Sequence, residues 1–74
     1  MYPNTELLRP GDTITSVVID GETSPVVFRR PYEEGSVFSV LSLWRGHIEF
    51  WVGAAATVVQ IRAAAETALK ASGG

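Results

Sequence analysis

Only one stretch of this chain has the period of a helix. From Ala54 to Ala71 the sequence is rich in alanine, and Val58, Ile61, Ala65, Ala68 and Leu69 recur at the three- and four-residue spacing of a single helical face. Arg62, Glu66 and Lys70 fall four apart on the opposite side, with the glutamate ahead of the lysine in the order that supports a helix. Most of the chain from Thr13 to Val52 reads as strand, so one helix has to serve a whole sheet. A sheet has two faces and one helix covers only one of them, which makes the composition of the second face decisive.

Thr13 to Ile19 is a run of β-branched residues and serine that stops at Asp20-Gly21, a dipeptide suited to a two-residue hairpin in which both central residues have positive φ. A second strand follows from Ser24 to Arg30, with Pro25 near its start, where a missing N–H is tolerated. Arg30-Pro31-Tyr32-Glu33-Glu34-Gly35 has proline at one end and glycine at the other and reads as a loop. Ser36 to Trp44 and His47 to Val52 are strands three and four, reversed at Arg45-Gly46. Connections this short make consecutive strands neighbours. The expected fold is α+β: a four-stranded antiparallel meander sheet followed by one C-terminal amphipathic helix packed on one face. The domain is 13-74, preceded by an N-terminal extended arm, 1-12, that carries Pro3, Pro10 and Gly11 and is anchored by Leu7 and Leu8.

A two-residue turn at Arg45-Gly46 sets Leu43 opposite Ile48, Leu41 opposite Phe50 and Ser39 opposite Val52, and that face, with Val37, is the expected core under the helix. The other face then carries Phe38, Val40, Trp44 and Trp51, rimmed by Arg45, His47 and Glu49. A half-solvated antiparallel sheet alternates apolar and polar residues, and this hairpin does not. A buried Trp or Phe contributes about 150 to 250 Å², so the three aromatic rings with Val40 reach the few hundred Å² that monomers rarely leave exposed. These seven residues are the expected interface, covered by a second copy of the chain or by another protein. An arm folded back through Tyr2, Leu7 and Leu8 is the alternative cover.

Composition points the same way. A domain of 74 residues buries only about 60% of its unfolded surface, and small domains add disulfides, a metal or a partner. There is no cysteine, and the single histidine, His47, leaves too few ligands for a zinc site. With 46% hydrophobic and 19% charged residues the chain has the makings of a folded core. A net charge of −2 gives no general pull toward phosphate. No stretch reaches the ~20 apolar residues of a membrane-spanning helix, and the first residues lack the basic start of a signal peptide, so a cytoplasmic location is expected. Five of the six basic residues are arginine and alanine is abundant, a bias that fits a GC-rich bacterium or its phage.

No residue set reads as catalytic, metal-binding or cofactor-binding. His47 and Glu49 share a strand face without a nucleophile beside them, and no serine sits in a Gly-x-Ser-x-Gly context. Glu33-Glu34 reads as a solvated loop tip, and the terminal Gly73-Gly74 follows a helix rather than the strand that leads into the diglycine of ubiquitin-like sulfur carriers. The expected function is therefore a small non-enzymatic protein–protein interaction module, homodimeric, of the kind a phage or bacterium uses as an accessory or regulator. The alternative is a single-stranded nucleic-acid-binding protein that stacks bases on the aromatic sheet face and meets the backbone with Arg29, Arg30 and Arg45. In the order of its elements the expected fold resembles a class of dimeric single-stranded-DNA-binding domains.

Overall fold

The computed structural model describes residues 9–72. Four strands, β1 (Thr13–Ile19), β2 (Glu22–Tyr32), β3 (Gly35–Ser42) and β4 (Gly46–Gly53), form one antiparallel sheet in the order β1-β2-β3-β4, and the helix α1 (Val58–Ser72) packs on one face of it. This is the expected α+β meander. Tyr2, Leu7 and Leu8, which the arm would use to cover the sheet, lie outside the described residues, as do Gly73 and Gly74.

Local chemistry explains most of the boundaries. Asp20 and Gly21 take φ of 52° and 81°, the two positive values that a tight hairpin between Ile19 and Glu22 requires. The helix begins at Val58 rather than Ala54 because Thr57 and Gln60 form a reciprocal cap. The Gln60 amide donates to Thr57 Oγ1 at 3.2 Å and the Thr57 amide donates to Gln60 Oε1 at 2.8 Å. Glu66 and Lys70 pair at 2.8 Å on the solvent side.

The expected loop after Arg30 is instead strand. β2 runs on to Tyr32, which pairs with Gly35 across a turn made only of Glu33 and Glu34. Gly35 is required there for space, since its φ is not positive: a Cβ would strike the Val52 carbonyl oxygen and lie 2.7 Å from the Trp51 indole. Trp51 lies over that glycine and donates from Nε1 to the Tyr32 carbonyl at 3.0 Å. Gly35→Ala is expected to destabilise by about 1 to 3 kcal/mol, read as a lowered urea midpoint, with loss of the Trp51 anchor visible as a shift in indole fluorescence. An unchanged midpoint contradicts this packing.

The register of β3 with β4 is a correction to the sequence reading. Val40 opposes Ile48 and Phe38 opposes Phe50, so the pairing is displaced by three residues from the expected one and every β3 side chain changes face. Phe38 and Val40 are fully buried beneath the helix, while Leu41 is 37% exposed and Leu43 sits in the turn at 92%. The core joins Phe28, Phe38, Val40, Val17 and Val26 of the sheet to Ile61, Ala65 and Leu69 of the helix. Phe28, Phe38 and Phe50 run across three strands as a ladder, the first pair edge-on at 5.5 Å and the second stacked at 6.1 Å.

Candidate functional site

The turn between β3 and β4 explains the displacement. Residues 43–45 form the turn, Ser42 opposes Gly46, and Gly46 takes the left-handed φ of 82° that closes it. Ser42 Oγ accepts the amides of Trp44 at 3.2 Å and Arg45 at 3.0 Å, a hydroxyl-capped turn whose centre lies ahead of Arg45-Gly46. The second constraint comes from β2. Glu22 accepts the Ser42 hydroxyl at 2.7 Å and the Leu43 amide at 2.8 Å.

Glu22 can reach the turn because the β2–β3 pairing stops at Val26 and Val40. Phe28 directs its N–H and C=O toward the β1 side, to Asp12 and Gly11, so alternation directs Val27 and Pro25 toward β3. Pro25 has no N–H to give, and the ladder ends there. The missing N–H of Pro25 is thus tolerated, as expected, on a side of β2 that β3 does not pair, and the Glu22 carboxylate spans the strands beyond it.

This clamp holds out two large apolar side chains. Leu43 and Trp44 are 92% and 84% exposed on a turn whose backbone is fixed by carboxylate and hydroxyl. Arg45, beside them, reaches Asp20 at 3.7 Å through Nη2, while its buried Nε has no hydrogen-bond partner among the described residues.

The sheet face away from the helix carries the rest of the surface. Among the seven expected interface residues, Trp51, His47 and Glu49 lie on this face, Trp44 and Arg45 lie in the turn, and Phe38 and Val40 lie on the opposite face, in the core. Leu41, expected in the core, takes a place opposite His47. A bulge brings both arginines of β2 here. The register slips between Phe28 and Arg30, so Arg30 opposes Val37 instead of Ser36 and is moved off the helix side. Arg29 donates from Nε to the buried Ser39 hydroxyl at 2.9 Å, and its Nη2 lies 3.4 Å from His47 Nε2. Arg30 lies 3.8 Å from Glu49. The face is therefore mixed: Trp51, Leu41 and Tyr32 set around arginines held in place by their neighbours.

The Glu22 carboxyl is held below its ordinary value of 4.5 by the hydrogen bond from Ser42, with the Leu43 amide, the Arg45 charge and Ser24 acting in the same direction against desolvation. A carboxylate with a depressed folded-state pKa contributes stability that is fully present above its unfolded pKa and is lost as pH falls through the folded value. Glu66, lowered by its bond to Lys70, acts in the same sense. Thermal midpoints are expected to decline as pH falls from about 5 to about 3, and Glu22→Gln is expected to flatten that decline and loosen the turn, lowering Trp44 fluorescence anisotropy. The same slope in wild type and variant contradicts the clamp.

No group of three or more His, Asp or Glu converges as a metal-ligand set among the described residues, and no described helix is long and apolar enough to cross a membrane. No protein-family model matches the chain, nor does any curated protein or solved structure.

Proposed function

We propose that this chain is a small, non-enzymatic protein–protein interaction module that works as a homodimer and presents the clamped turn and the helix-free sheet face to a partner protein. The observation that carries the reading is the exposure of Leu43 and Trp44 on a backbone that Glu22 and Ser42 hold still. A large apolar pair in water is unfavourable for a monomer, and contiguous patches of this kind mark association sites. Tryptophan and arginine are the residues on which binding energy concentrates. A fixed backbone also lowers the entropy lost on binding.

The titratable groups of the same surface support recognition over catalysis. His47 is bonded to Arg29, which supplies no nucleophile, and the Ser39 hydroxyl is buried and occupied by the same guanidinium. Trp44→Ser is expected to change stability by less than about 0.5 kcal/mol, as for a surface side chain without structural contacts. Sedimentation equilibrium of the wild type at micromolar concentration is expected to give twice the chain mass, and a monomer contradicts the homodimer. Tryptophan fluorescence is expected to ignore single-stranded oligonucleotide, and a salt-reversible change would favour the nucleic-acid alternative instead.

A further inference from the structure

The sheet order leaves β1 and β4 as its two edges among the described residues. An open edge presents backbone N–H and C=O groups to any further strand, and proteins that stay monomeric blunt it with charge, proline or irregularity. The two edges differ in this respect. β4 carries His47 and, near its middle, the charged Glu49, which blunts the edge, and pairing it with itself about Glu49 sets the two carboxylates opposite each other. β1 reads Thr-Ile-Thr-Ser-Val-Val-Ile, without charge or proline, and its one irregularity is the register slip between Thr13 and Thr15 at its N-terminal end.

The register also says which groups are free. Phe28 bonds toward the β1 side, so Val26, Ser24 and Glu22 do as well, and their partners Thr15, Val17 and Ile19 turn toward β2. The N–H and C=O groups of Ser16 and Val18 are left on the open side, and the Val18 side chain is 65% exposed on the helix-free face.

We propose that a second copy of the chain pairs antiparallel along β1 about Val17, with Ser16 of each copy opposite Val18 of the other. Same-face residues then meet, Thr15 with Ile19 on the helix side and Ser16 with Val18 on the other, and no charge opposes its own copy. The two sheets become one of eight strands with both helices on the same face. The helix-free faces join into one surface and both Leu43-Trp44 turns stay open. This inference rests on the homodimer proposed above and specifies its contact.

Amide hydrogen exchange of the full chain, read residue by residue at two concentrations, tests it together with sedimentation of Val18→Lys, Val18→Pro and Trp44→Ser. Ser16 and Val18 amides are expected to exchange slowly when concentrated and quickly when dilute. Both Val18 variants are expected to weaken the dimer by about tenfold or more, while Trp44→Ser leaves it intact. Val18→Lys alters an exposed side chain and keeps the fold, so it carries the test if the proline variant does not fold. Fast exchange at both amides in a wild-type dimer, or a dimer indifferent to Val18→Lys, overturns the edge contact and leaves self-association standing. Protection that ignores concentration also overturns it, because the edge is then covered from within the chain. A monomeric wild type overturns both.

Discussion

Phe38→Ala is expected to lower stability by about 3 to 5 kcal/mol, a loss comparable with the whole stability of a domain this small. Phe38 is fully buried at the centre of the ladder, edge-on to Phe28 and stacked on Phe50, so its removal opens a cavity that touches three strands. Leu41→Ala, three residues further on, is expected to cost less than about 1 kcal/mol, because Leu41 faces away from the helix and is already partly in water. Urea midpoints of the two variants measure the difference. Equal losses contradict the register of β3, and a larger loss at Leu41 restores the pairing that the sequence suggests.

Ile61→Ala is expected to cost about 2 to 5 kcal/mol. The helix meets the sheet through Ile61, Ala65 and Leu69, and the middle contact is already an alanine, so the two larger side chains supply most of the grip. A 15-residue helix is marginal by itself in water, and its stability comes from this stripe. Far- and near-ultraviolet dichroism are expected to report one shared, lowered transition, while Val59→Ala, on the exposed side, stays within about 0.5 kcal/mol of wild type. A helix signal that persists after the sheet signal is lost contradicts the account.

The fold was legible where local chemistry decides it. β1 follows from seven β-branched or serine residues closed by Asp20-Gly21, and the helix from the recurrence of Ile61, Ala65 and Leu69. The helix start also had a readable signal, the Thr57-x-x-Gln60 cap, which the alanines ahead of it obscured. β4 has one apolar and one mixed parity, and its phase is as expected.

β3 was not legible from periodicity. Val37, Phe38, Val40, Leu41 and Leu43 are apolar at both parities, so alternation could not choose a face and the choice fell to the turn. The turn in turn depends on Glu22, 20 residues upstream of Ser42, reaching it through a gap that Pro25 opens. Arg29 and Arg30 share the helix-free face for a similarly non-local reason, a slip in pairing between β2 and β3. The reading that the second face would be left uncovered by the helix survives the correction, but its occupants differ: Phe38 and Val40 leave it, Leu41 and the arginines join it, and the turn carries Leu43 with Trp44.

That division of the molecule, one face closed by the helix and the rest available for association, is tested most directly by amide chemical shifts across a dilution series from millimolar to micromolar. Concentration-dependent shifts are expected along β1, with residues 43–44 and the solvent side of α1 constant. Shifts that stay fixed throughout, or that move on α1 alone, contradict it.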